Sequence, residues 1–171
     1  MQIVYIDSDY TDYLREFDSR VSYNVNKTYQ RPYIGVLLSI DVKKYFAPLT
    51  STRKGKKLRD KPIPENITFL PIDNCRYGGI NFNNMIPVID GVYWAAEMDI
   101  TPDDTKHQRN RKIMLQNQIR FIRKNDEPII MKAKFLYNLT IADKLYPNQK
   151  PLVCDFKKLE EVALAYVKPK K

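Results

Sequence analysis

Near residue 100 the hydrophobic pattern of this 171-residue chain changes its period, and that change constrains the fold more than any single motif. Before it, apolar residues come in short runs cut by prolines and turn residues, the mark of strands. After it they recur at the three- and four-residue spacing of helices. Strands first and helices afterwards indicate an α+β domain with a small antiparallel sheet flanked by helices, rather than the alternating order of a parallel sheet. The length suits one domain over residues 1–171, large enough to fold without a disulfide or a metal.

The pattern predicts strands over 2–6, 33–42, 45–49, 67–71, 79–82, 85–89 and 92–96. A tight turn at 41–44 would join the second and third as a hairpin. A helix capped by Asp7 or Ser8 places Tyr10, Tyr13, Leu14 and Phe17 on one face. Residues 18–32 and 50–64 are polar or proline-rich and read as loops. Thr101-Pro102-Asp103-Asp104 carries the hydroxyl, proline and acids of a helix start, so one helix is expected from there to Lys124. A second, apolar on most faces and buried, is expected over 128–146. The last begins at Asp155 and buries Phe156, Leu159, Val162, Ala163 and Tyr166.

Charge then narrows the function. The formal net charge is +9, yet residues 43–61 alone carry +7 and residues 104–124 carry +6, so the remainder is slightly acidic. Two basic elements on an acidic body point to a phosphate backbone. On a helical wheel Arg109, Lys112, Gln116, Arg120 and Arg123 fall within about 80° and form an outward cationic stripe without interspersed acids. No apolar stretch approaches the roughly 20 residues of a membrane span, and the first residues lack a signal-peptide pattern. Cys75 and Cys154 are lone thiols. A cytoplasmic protein is expected.

Familiar catalytic devices are missing. His107 is the sole histidine, Asp103 and Asp104 are explained as helix-start acids, and no metal-ligand spacing, nucleophile elbow or phosphate-binding glycine loop occurs. Neither a metal nor another cofactor is expected. RNA cleavage needs none of these, because the substrate's own 2′-hydroxyl is the nucleophile and the protein need only position it and stabilise charge on the phosphate. Thr50, Ser51, Arg53, Lys54, Lys56, Lys57 and Arg59 supply hydroxyls and cations at a strand end. A loop that merely holds phosphates accounts for the same composition.

The string Lys44-Tyr45-Phe46-Ala47-Pro48-Leu49-Thr50-Ser51 resembles the active-site strand and turn of the ToxN/AbiQ endoribonucleases, the toxins of type III toxin–antitoxin systems and of phage abortive infection. Further segments agree in order: Tyr10 to Asp18, Tyr29 to Gly35, Ile80 to Pro87, Gln118 to Arg123 and Cys154 to Glu161. The resemblance implies a strongly twisted sheet similar to the Kid/MazF-type toxins. It also implies a metal-independent endoribonuclease that leaves 2′,3′-cyclic phosphate ends. Its partners would be target RNA and a repeated pseudoknot RNA antitoxin, held in a closed assembly with equal numbers of protein and RNA.

By position, the family's catalytic group falls on Tyr29, Thr50 and Ser51. Two positions depart from the pattern: Tyr33 stands where a lysine is expected beside Pro32, with Arg31 on the other side, and Arg53 replaces a lysine. Arginine stays protonated, so Arg53 can clamp a phosphate but not exchange a proton; Tyr29, Tyr33, Ser51 and Lys54 remain as proton-transfer candidates. Arg31, Tyr33, Lys56, Lys57, Arg59, Arg109, Lys112, Arg120 and Arg123 are the expected RNA contacts. A non-catalytic protein that binds a structured RNA is the alternative, and loss of Ser51 separates the two.

Overall fold

The computed structural model keeps the strand-then-helix order. It describes residues 1–26, 29–40, 43–51, 53–54, 57–58 and 65–168, with only the backbone described at 25–26, 29, 36–38, 40, 43, 53–54 and 57–58. Strand β1 (Gln2–Ile6) leads into helix α1 (Ser8–Phe17). Asp7 caps that helix by accepting from the Asp9 amide at 3.1 Å, and Tyr10 and Leu14 are buried as their spacing predicts. Two-residue strands β2 (Val25–Asn26) and β3 (Tyr29–Gln30) pair with each other inside a segment expected to be loop. Strands β4 (Tyr33–Ile40) and β5 (Lys43–Thr50) follow. A second short ladder, β6 (Arg53–Lys54) with β7 (Lys57–Leu58), interrupts the next expected loop.

Four short strands complete the sheet: β8 (Phe69–Pro71), β9 (Gly79–Asn81), β10 (Ile86–Val88) and β11 (Tyr93–Ala95). Among the described residues the main sheet has seven strands in the order β11-β1-β4-β5-β9-β8, with β10 also on β5, and every pairing is antiparallel. Strand β5 is its axis. One edge follows β4; the other pairs with β10 through Lys44–Phe46 and then with β9 through Leu49 and Thr50. Ala47 and Pro48 fall in the gap between those two partners, a position where a strand interior tolerates a residue without an N–H.

The helical half departs from expectation at one start, at one end and in what two helices bury, the helix expected over 128–146 ending at Ile141. Helix α2 (Lys106–Lys124) begins four residues later than predicted, because Thr105 and Gln108 form a reciprocal capping box while 101–104 close into a turn. Helix α3 (Asp126–Ile141) buries Ile129, Ala133 and Leu136 but exposes Ile130, Met131 and Phe135, so it is half-buried rather than enclosed. Helix α4 (Phe156–Ala165) is capped by Asp155 as predicted and buries Phe156, Leu159 and Ala163, while Val162 and Tyr166, also expected in the core, are only partly buried. No helix among the described residues is long and apolar enough to cross a membrane.

Two polar locks join the helices to the sheet. The Glu160 carboxylate accepts from the hydroxyls of Tyr45 at 2.6 Å and Tyr137 at 2.8 Å, within a cluster where both rings meet Phe156. Asp18, just past α1, accepts from Arg20 and from the Asp155 amide at 2.8 Å and so fixes the start of α4. Burial opposes its ionisation, but the Arg20 side chain and two backbone amides outweigh that and hold its carboxyl below the usual range. Both cysteines are buried and neither is joined in a disulfide, and burial pushes the Cys154 thiol up to about 12.

Candidate functional site

The hydroxyls at the end of β5 lie between two walls. Thr50 is half-buried and pairs with Gly79 of β9, while Ser51 follows the last strand residue and is exposed. On the β9 side the chain approaches through a tight turn in which Asp73, Asn74 and Cys75 all adopt positive φ, and Gly78 follows at +83°. Gly78 packs so closely on β5 that an added Cβ would lie 2.2 Å from the Thr50 carbonyl oxygen. That contact and the left-handed backbone both require glycine here.

The other wall is β3 and the two residues after it. The Leu49 amide donates to the Pro32 carbonyl at 2.9 Å, and Arg31 lies one residue further along, beside the end of β5. Arg31 is tied down by its own amide to the Asn24 carbonyl at 2.8 Å and by its Nε to the Tyr23 carbonyl at 2.9 Å. Tyr29 lies on β3, described in backbone only.

Helix α2 braces both walls. Arg111 donates through Nη2 to the Gln30 carbonyl at 2.6 Å and to the Tyr5 hydroxyl at 3.2 Å, with its guanidinium over the Tyr5 ring. Two turns on, Gln118 donates to the Tyr77 carbonyl at 2.7 Å, directly before Gly78. The two anchors are about 10 Å apart along the helix axis. The wheel analysis missed both residues. Their signal was there: an arginine and a glutamine on the arc that otherwise carries Leu115, Ile119 and Ile122.

Two expected RNA contacts need correction. Tyr33 is fully buried and its hydroxyl has no partner among the described residues, so it cannot touch an RNA backbone. Burial also drives its ionisation far upward, which removes it as a proton-transfer group. Lys112 is turned inward. Its side chain is 14% exposed and pairs with Asp104 at 2.8 Å and with Glu97 at 3.7 Å. The hydrogen bond between them raises Lys112 and lowers Asp104 from their ordinary values. Gln116 likewise bonds the Met98 carbonyl, so the stripe is broken at its middle. Arg109, Arg120 and Arg123 are exposed.

Arg53, Lys54 and Lys57 lie on the short β6–β7 ladder with only their backbone described, and Lys56 and Arg59 lie outside the described residues. Among the described residues no group of three or more His, Cys, Asp and Glu is placed to hold a metal ion. The arrangement therefore offers two neutral hydroxyls on a braced strand end, with the anchored Arg31 on the neighbouring segment.

A family model described as Toxin ToxN, type III toxin–antitoxin system, matches residues 2–164. Endoribonuclease ToxN of Pectobacterium atrosepticum is 34% identical over 174 residues, taking in 94% of this chain and 91% of its own. Endoribonuclease ToxN of Bacillus thuringiensis subsp. kurstaki is 35% identical, with 94% and 81% covered. Endoribonuclease AbiQ of Lactococcus lactis subsp. lactis is 31% identical, with 95% and 87% covered. Among solved structures, one concerning a processed non-coding RNA that regulates a bacterial antiviral system superposes with a TM-score of 0.77 at 31% identity, covering 98% of this chain and all of that one. Another concerns selective toxin inhibition by a non-coding RNA pseudoknot, with a TM-score of 0.76, 29% identity and 96% of each chain covered.

Proposed function

The chain belongs to the ToxN family of type III toxin–antitoxin toxins, and from that membership we propose that it is an endoribonuclease that cleaves RNA without a metal and is held inactive by an RNA antitoxin. The substrate's 2′-hydroxyl attacks the adjacent phosphorus, the bond to the 5′-oxygen breaks, and the products carry a 2′,3′-cyclic phosphate and a 5′-hydroxyl. Ser51 is not a covalent nucleophile in this scheme. With Thr50 it orients the attacking hydroxyl and donates to the scissile phosphate, where each well-placed donor contributes about 10²–10³ in rate.

The cations divide the remaining tasks. Arg53 clamps a phosphate oxygen pair, and Arg31 neutralises charge beside Thr50. Lys54 and Tyr29 are left to move protons between the 2′-hydroxyl and the leaving oxygen. Lys56, Lys57 and Arg59 hold the flanking backbone. The observation that carries the reading is the braced strand end: Gly78 packed on Thr50 on one side, and Leu49 bonded to the Pro32 carbonyl on the other.

The antitoxin would be a repeated pseudoknot RNA that the toxin cuts from its precursor and that then fills the groove. The exposed Arg109, Arg120 and Arg123 would hold the end of an RNA seated on a neighbouring protomer, closing a ring with equal numbers of protein and RNA. We place the protein in the cytoplasm, where such RNAs are made, and liken its twisted sheet to the Kid/MazF-type toxins. The mechanism is tested by cleaving RNA in excess EDTA and identifying the ends. Retained cleavage with cyclic phosphate ends is expected; loss that a divalent ion restores overturns it.

A further inference from the structure

Tyr23 is 64% exposed, although its neighbours Val21 and Asn24 are fully buried. That contrast gives an aromatic ring on a rigid mount. Val21 is packed in the core, and the Asn24 side chain donates to the Ile6 carbonyl of β1. Arg31 holds the Tyr23 carbonyl and the Asn24 carbonyl together. The ring itself is also fixed. The Arg15 guanidinium lies over it at 3.9 Å from the centroid, and that guanidinium is secured by the carbonyls of Val21 and Ser19.

An exposed tyrosine ordinarily keeps its ring free to turn, at a cost in entropy when something binds it. Here the cost is met in the free protein, and among the described residues no second ring or guanidinium covers the ring's other face. The location is specific as well. Arg31 donates to the Tyr23 carbonyl and Leu49 donates to the carbonyl of the adjoining Pro32, which leads in two steps from Tyr23 to β5. A flat apolar face backed by Arg15, on the segment that Arg31 and Pro32 tie to β5, matches an unpaired nucleobase.

We infer that the open face of Tyr23 is a stacking platform for one unpaired base of single-stranded RNA next to the scissile phosphate. Arg15 backs the ring, its charge strengthening the contact, and Arg31 links the platform to the cleavage site. The inference rests on the endoribonuclease reading only for its location; stacking itself is measurable without cleavage.

The test is equilibrium binding of a 2′-O-methyl oligoadenylate twelve nucleotides long, which lacks the nucleophile and is not cut, and of the same strand with its bases removed. Tyr23→Ala should weaken binding of the base-bearing strand about tenfold and leave the abasic strand within twofold, since base–aromatic stacking is sequence-tolerant but needs a base. Tyr23→Phe should bind as the wild type does, because the ring face is what matters. Thermal melting verifies that each variant is folded. Equal binding by wild type and Tyr23→Ala, or an equal loss on both strands, overturns the platform. Failure of the wild type to cut RNA, with the Tyr23 effect intact, would instead refute the nuclease reading and leave the platform standing.

Discussion

Replacing Gly78 by alanine tests whether the placement of Thr50 and Ser51 matters as the geometry requires. The new Cβ would sit 2.2 Å from the Thr50 carbonyl oxygen and 3.3 Å from its carbon, with φ at +83°. Restoring ordinary contact moves the Thr50–Ser51 peptide by about 1 Å, and a displacement of that size near reacting groups costs about 10²-fold in rate. The left-handed backbone adds about 1 kcal/mol and the clash raises the total to about 2–3 kcal/mol. For a domain of this size that lowers Tm by about 4–12 °C. Gly91 supplies the internal control. Its φ is +86° with nothing within 4 Å of an added Cβ, so Gly91→Ala meets only the backbone cost. Single-turnover cleavage of a short RNA and thermal melting are run on both. We expect Gly78→Ala to lose about two orders of magnitude in rate and Gly91→Ala to stay within threefold of wild type. A folded Gly78→Ala protein that cuts at the wild-type rate refutes the argument.

Tyr33→Phe removes a buried hydroxyl that has no partner among the described residues, so it should gain about 1 kcal/mol and raise Tm by a few degrees without altering RNA affinity; weakened RNA binding would return Tyr33 to the interface. Asp18→Asn should lower Tm by about 4–8 °C, from about 2 kcal/mol for a buried pair whose arginine is partly exposed. Because the folded carboxyl lies below its ordinary value, the wild type's advantage is complete above about pH 4 and fades as pH falls through the lower folded value; melting curves of both proteins from pH 7 to pH 2 should converge at the acid end, and a constant gap contradicts the linkage. Arg120→Glu with Arg123→Glu should impair assembly with the antitoxin RNA in light scattering more than it impairs cleavage of a short RNA, and an equal loss of both contradicts a separate assembly face.

The sequence resolved elements long enough to show a periodic face and failed on those too short to show one. Strand β1, helix α1 and helix α4 follow directly from runs such as Gln2–Ile6 and from Phe156, Leu159 and Ala163. The β2–β3 and β6–β7 ladders are two residues per strand, too short to show alternation, and they form where the wider fold brings the segments together. At α2, Thr101-Pro102 imitates a helix start, but the reciprocal Thr105–Gln108 cap satisfies two backbone donors and prevails. Met131 and Phe135 look like core residues because composition does not record which face a neighbour covers.

The hydroxyl pair at Thr50 and Ser51 was legible through its family string. The brace that holds it was not, since Arg111 and Gln118 act through carbonyls far away in sequence. Lys112 misled for the same reason in reverse. A wheel shows it pointing outward, while Asp104 and Glu97 reach it from the turn and strand end beside the helix.

Ser51→Ala tests the central claim most directly. Wild type and variant are compared in one preparation for cleavage of a single-stranded RNA and for affinity toward a 2′-O-methyl copy of it. A neutral hydroxyl adds little to backbone affinity beside so many cations, yet it is the group assigned to the reacting phosphate. The account predicts that Ser51→Ala binds within about twofold of wild type and cleaves at least about 10²-fold more slowly. Cleavage at the wild-type rate, or a loss of binding that matches the loss of cleavage, would contradict it.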